Sequence, residues 1–293
     1  MDDALMAQIK AIVADATAGP ALNDLAHAEA GGLIEALRGD EFSLNVPATP
    51  EAVVARFDRY AALSAPLARV MALGGRWSGD AVRPLWPALV ERVVASVDRT
   101  QFQTVWADLS LYPGVLLLYA SGIGALVGAR YENLVSVLLE PRLRYHNEQR
   151  RAVELLFPAA VLDDRQARSV RLASTFAPVS DRLASDLQRV VADVAPDDHA
   201  FARLFDRFEC LLGLVHMDTS QGTWAPTGRF ITDMTAAAAD RALEAEAMEA
   251  GETWPLLTAG AFGGEAARLE AAINRWRTHV NAVRTEARFF RLR

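Results

Sequence analysis

The chain has 293 residues, 52% of them apolar and 23% charged, with a formal net charge of −7. A chain of that length and make-up can bury a large core without metals or disulfides, which excludes a disordered or disulfide-stapled class. The acidic balance argues against a nucleic-acid binder, whose footprint is basic. It points to small molecules or proteins as partners.

Lys10 is the sole lysine, so arginine carries nearly all the positive charge. With the alanine-rich composition this reads as the codon bias of a GC-rich bacterial genome, so not every Arg cluster is a phosphate site. Cys210 is the sole cysteine; no intrachain disulfide can form, and a reducing cytoplasm fits. The opening MDDALMAQIKAIV is acidic before it is apolar, the reverse of a secretory leader.

Along the chain the dominant period is helical, and an all-α fold of ten to twelve helices is expected. FSLNVPATP (42–50) reads as a break. In the segment that follows, Val53, Phe57, Tyr60, Leu67 and Val70 share one helix face. Pro50 suits a first turn, Gly74-Gly75 reads as the stop, and Pro66 should kink or break the helix. GGRWSGD (74–80) is the next break and the place where a single 1–293 domain would subdivide, if it does.

Leu109 to Ala129 carries no charge over 21 residues, about the length of a membrane span. Pro113 belongs in a first turn, which trims the helix to 113–129. Ala120, Gly124 and Gly128 form a ladder of small residues that lets helix backbones approach closely. With several amphipathic helices needing an apolar partner, the stretch reads as a buried central helix and not a span.

YPGVLLLYASGIGALVGARYENLVSVLLEP (112–141) resembles a helical region carried behind effector modules (TIR-like, SIR2-like, nuclease or NTPase) in bacterial proteins associated with anti-phage defence. The shared pattern is a Tyr-Pro start, LLLYA, a Gly/Ala ladder and Arg-Tyr-x-x-Leu. The resemblance covers about 30 residues and carries over no catalytic residue. It implies a sensing, scaffolding or oligomerising role beside a protein partner or fused effector.

PRLRYHNEQRR (141–151) is the densest basic patch. Arg142, Arg144, Arg150 and Arg151, with His146, suit an anion or an acidic partner, because guanidinium forks match carboxylate and phosphate. A solvated Arg-rich connection between helices is the plainer reading. No segment shows strand alternation with hairpin-turn residues.

Asp163-Asp164, and Asp197-Asp198 before His199, read as helix starts. Phe201, Phe205, Phe208, Leu212 and Val215 repeat the helical spacing, with Cys210 among them as a buried structural thiol. His216 and Asp218 give two potential ligands where a metal site needs three or four; a capping Asp beside a half-buried His is the simpler reading. DTSQGTWAPTG (218–228) is a loop. ITDMTAAAADRALEAEAMEAG reads as an acidic helix capped by Thr232 or Asp233 and ended by Gly251. The last helix carries a seam at Leu269, Ile273, Trp276, Val280, Val283, Ala287 and Phe290, spaced as in a bundle. Its six arginines match the acidic helix before it. Trp77, Trp86, Trp224 and Trp254, near loops, read as packing anchors or cleft walls.

No catalytic, cofactor or metal signature stands in the sequence: GxxxxGK[ST], GxGxxG after a strand, HExxH and CxxC are all missing. The expected function is therefore a non-catalytic sensing, scaffolding or interaction module, cytoplasmic, with homo-oligomerisation open. The alternative is a helical ligand- or nucleotide-binding protein or enzyme with an Arg-lined cleft.

Overall fold

Thr49 opens the longest helix by accepting a hydrogen bond from the Ala52 N–H at 3.2 Å, and Pro50 occupies the first turn without leaving a donor unmet. In the computed structural model, which describes residues 19–97, 105–145, 148–173, 175–235 and 237–291, this helix is α2 (Pro50–Trp77), preceded by α1 (Gly19–Leu37). There follow α3 (Leu85–Ala95), α4 (Val105–Leu109), the central α5 (Tyr112–Val127) and α6 (Tyr131–Leu139). A two-stranded hairpin, β1 (Arg142–Tyr145) and β2 (Glu148–Arg151), leads into the short helices α7 (Ala152–Leu155), α8 (Pro158–Val161) and α9 (Asp164–Ser169). The second half comprises α10 (Pro178–Val190), α11 (Asp198–Ser220), α12 (Ala239–Ala250), α13 (Pro255–Thr258) and α14 (Ala266–Arg291), joined by 3-10 turns. The fold is all-α, with the hairpin as a small addition.

Helix α5 is the axis of the molecule. Every residue from Tyr112 to Ala125 is buried. In the apolar stretch spanning α4 and α5, 89% of the most hydrophobic window is covered by protein. A helix apolar on all sides needs such a cover, and here α2, α3, α6 and α11 provide it. One continuous core runs from Leu22 to Ala287 and includes residues on both sides of 75–80.

The glycine ladder explains how α2 and α5 come together. A Cβ on Gly124 would stand 1.9 Å from the Ala72 carbonyl oxygen, and one on Gly128 2.3 Å from that of Arg76. From the other side, a Cβ on Gly75 would meet the Ser121 carbonyl oxygen at 2.4 Å. The helices therefore touch backbone to backbone. Asn133 of α6 locks the junction, its side-chain amide donating to the carbonyls of Gly75 and Ser78 at 3.1 Å each.

Two expectations for α2 are corrected by this packing. Gly74-Gly75 does not end the helix, which continues to Trp77; both glycines lie inside it because Trp86 and α5 press against them. Nor does Pro66 break it. The missing proline N–H costs one intrahelical bond, but Leu67, Ala68 and Val70 to Gly75 are buried immediately after it and hold the helix in register.

Other starts and stops follow the sequence. Asp163 and Asp197 accept from the N–H groups of Gln166 and Ala200, as N-caps do. Gly251 ends α12 with φ +52°. The capping pair Thr232 and Asp233 is displaced: residues 229–232 form a 3-10 turn, Asp233 closes a local turn onto the Thr235 N–H, and α12 starts only at Ala239. The seam of α14 packs within the molecule against α11 and the 229–232 turn. Its bulkiest member, Trp276, fits because Gly213 of α11 has no Cβ to meet it. The acid–base match between the last two helices is real: Arg277 pairs with Glu244, and Arg284 with Asp240 at 2.7 Å, both of the latter buried.

Candidate functional site

The small-residue face of α2 leaves something unfilled. Asp58, Ala61, Ala62, Ala65, Pro66 and Arg69 recur at helical spacing, and the four central ones are too short to reach a neighbouring helix. Opposite them α10 presents Arg182, Asp186, Arg189 and Val190, also one face. The result is a groove of about 600 Å³, to which Glu29 of α1 contributes. That volume lies in the range of small-molecule sites.

Charge is distributed unevenly along the groove. At one end Arg182 bridges two carboxylates, its Nη2 donating to Asp58 Oδ1 at 2.6 Å and its Nε to Asp186 Oδ2 at 2.8 Å. Burial works against the Arg182 charge, but the hydrogen bonds to Asp186 and Asp58 outweigh it and raise the guanidinium pKa. Asp186 is buried and also accepts from the Tyr112 hydroxyl at 2.7 Å. Tyr112 is held far above the usual phenol range, by burial first and then by the charge of Asp186, so it acts as a fixed donor. At the other end lie Arg69 and Arg189. Arg69 Nε is buried without a hydrogen-bond partner among the described residues, with Asp193 Oδ2 at 3.7 Å. Arg189 is exposed and makes no ion pair among them.

The basic patch has a different place from the groove. It forms the hairpin, against the expectation of a strand-free chain; no Asn-Gly or Asp-Gly announced the turn. Pairing of Arg142 with Arg151 and of Arg144 with Gln149 puts Arg142, Arg144 and Arg151 on one face. Arg150 is on the other face and is tied to Glu148 at 2.6 Å. Among the described hairpin residues Leu143 alone is buried, which anchors the hairpin to the body. His146 lies outside the described residues. Three arginines are thus brought together on one face of the hairpin, Arg142 and Arg144 exposed and Arg151 half-buried.

The remaining candidates lie apart from both the groove and the hairpin. Asp218 caps nothing; it is a buried carboxylate held in two-pronged fashion by Arg268, Nε to Oδ1 at 3.1 Å and Nη2 to Oδ2 at 2.6 Å. His216 packs edge-on against Phe157 and Trp224, and burial, with some help from the His279 charge, lowers its pKa to about 4. No group of three metal-binding side chains converges among the described residues. Cys210 is buried, and its thiol is pushed well up by that burial. Trp86 and Trp254 are core anchors bonded to Ser78 and Glu246, while Trp77 and Trp224 stay half exposed.

Glu209 is the buried group that sequence reasoning missed. It sits in the apolar face of α11, receives hydrogen bonds from Ser180 at 2.7 Å and the Arg229 N–H at 3.0 Å, and burial raises its pKa to about 8. Its signal was a lone Glu among Phe208, Cys210 and Leu211. Nothing in the local pattern marks the groove residues, since they come from helices more than 100 positions apart.

No protein-family model matches the chain, and no curated protein and no solved structure matches it.

Proposed function

We propose that the chain is a non-catalytic helical sensing module, in which the groove between α2 and α10 receives a small ligand. The observation that carries this is the connection Arg182–Asp186–Tyr112. It leads by two hydrogen bonds of 2.8 and 2.7 Å from the groove wall to the first turn of the central helix. Occupancy of the groove changes the environment of Arg182, and through Asp186 it changes how Tyr112 is held. Because α5 contacts α2, α3, α6 and α11, a shift at its start is felt across the bundle. The groove's polar groups are arginines and ion-paired carboxylates, equipped to hold a ligand. The resemblance of residues 112–141 to helical regions behind bacterial defence effectors supports the same reading: a cytoplasmic sensor whose output is a protein partner or fused effector.

A thermal-shift panel of metabolites and nucleotides tests it, followed by hydrogen exchange across 112–127 with the best compound. Ligand should raise protection there, and Tyr112→Phe, which keeps the ring packed edge-on against Phe57 at 4.7 Å, should still bind but lose that rise. A panel with no shift, or the same rise in the variant, refutes the sensing role.

The hairpin supports a second reading, partner docking. Arg142, Arg144 and Arg151 share a face and have no side-chain ion pair among the described residues. An acidic segment is the complementary surface. A polyglutamate peptide should bind in a salt-sensitive way and lose affinity in Arg142→Ser/Arg144→Ser, while the unfolding temperature stays unchanged. Equal binding by the variant overturns it.

A further inference from the structure

Pro66 is an odd residue for the middle of a 28-residue helix, and its place on the groove wall gives it a use. Proline has no N–H, so the Ala62 carbonyl, four residues earlier, loses its intrahelical donor. Ala62 is exposed and lines the same wall. The groove wall therefore carries a backbone carbonyl without its intrahelical donor, one turn from the exposed carboxylate of Asp58, whose Oδ1 is paired with Arg182.

The far end has the opposite character. Arg189 makes no ion pair among the described residues, and Arg69 Nε is buried with no acceptor within hydrogen-bond distance, its ion-pair partner Asp193 Oδ2 standing off at 3.7 Å. Buried unmet donors are costly and are normally satisfied by something. The middle is Ala61, Ala65, Pro66 and Val190, which offers only short apolar surface. An acceptor end, an apolar middle and a donor end occur in that order along α2 from residue 58 to 69.

From this order we infer that the groove binds a dipolar small molecule of dipeptide size, with an amine at the Ala62/Asp58 end and a carboxylate at the Arg189/Arg69 end. Ala62 and Arg69 are seven positions apart, about 10 Å along the helix axis. The arginine side chains reach back over part of that distance, leaving a span close to the roughly 7 Å of an extended dipeptide. The inference rests on the groove being a ligand site, and it adds the chemical class and the role of Pro66.

Alanyl-alanine is the probe, compared by calorimetry with its N-acetyl and C-amide forms and with inorganic phosphate. The free dipeptide should bind, and each capped form should bind at least about tenfold more weakly, the size of effect expected when a charge-assisted hydrogen bond is lost. Arg189→Ala should weaken the free dipeptide but leave the C-amide unchanged. Pro66→Ala restores the N–H to the Ala62 carbonyl; it should raise the unfolding temperature, weaken the free dipeptide and leave the N-acetyl form unchanged. A proline with a merely local role would change stability alone, and unchanged affinity in that variant overturns its part. Capped and free forms binding alike, or inorganic phosphate binding as well as the dipeptide with the same dependence on Arg189, overturns the dipolar class. In that case the sensing role survives, whereas a panel in which nothing binds removes both.

Discussion

Gly124→Ala should be among the most damaging single-methyl additions to this protein. The added Cβ would lie 1.9 Å from the Ala72 carbonyl oxygen, 2.7 Å from its carbonyl carbon and 3.0 Å from its Cα. Ordinary contact distances begin near 3.4 Å, so α2 and α5 must separate by roughly 1.5 Å at that point, with no side-chain rotamer to absorb the change. The gap would spread along the most extensive helix–helix contact in the molecule and would strain the Gly75 and Gly128 approaches on either side. Overpacking of this kind costs about 1–3 kcal/mol in adaptable cores, and a backbone-to-backbone clash belongs at or above the top of that range. Gly32→Ala is the matched control, also within a helix but with nothing within 4 Å of the added Cβ. There the higher helix propensity of alanine should stabilise by about 0.5–1 kcal/mol. Urea denaturation followed by far-UV circular dichroism measures both. A Gly124→Ala protein within about 0.5 kcal/mol of the parent would refute the close-approach account of the ladder.

Glu209 makes stability depend on pH. Its folded pKa, about 8, lies above the ordinary value of 4.5, chiefly because of burial. The folded state therefore keeps a proton that the unfolded chain has released, and stability falls as pH rises from about 4.5 to 8. Glu209→Gln, which can still meet Ser180 and the Arg229 N–H, should flatten that fall in urea titrations at pH 5 and 8; an unchanged slope contradicts the assignment. Arg284→Ala strands the Asp240 carboxylate in the core and should cost about 3–5 kcal/mol, with Asp240→Leu/Arg284→Met recovering much of it; denaturation midpoints for both report the outcome. Gly213→Ala should destabilise by pushing Trp276 off α11, where the new Cβ would sit 2.5 Å from the indole, and the tryptophan emission should shift with it if that packing is right.

Much of the scaffold was legible locally. Helical spacing at Val53, Phe57 and Tyr60, the proline starts at Pro50 and Pro113, the caps at Asp163 and Asp197 and the α14 seam all follow from residues a few positions apart, and each has the predicted role. The ladder at Gly124 and Gly128 was visible as well, though not its target. Pro66 and Gly74-Gly75 were misread because local rules treat them as breakers, while long-range burial overrides a single lost hydrogen bond or a flexible backbone.

The candidate site belongs to the other category. Its halves, 58–69 and 182–190, each read as ordinary amphipathic helix. Only when the bundle sets them side by side do the alanines of one leave a groove against the arginines of the other. The same holds for the hairpin face and for Glu209, whose proton is a property of the core around it. Sequence alone determined that the fold is helical and which helix must be innermost, because periodicity and apolarity act along the chain. Cavities, shifted protonation and the partner each charge takes depend on which side chains meet from separate elements, 20 positions apart for Glu209 and Arg229 and 124 for Asp58 and Arg182, and tertiary structure alone decides that.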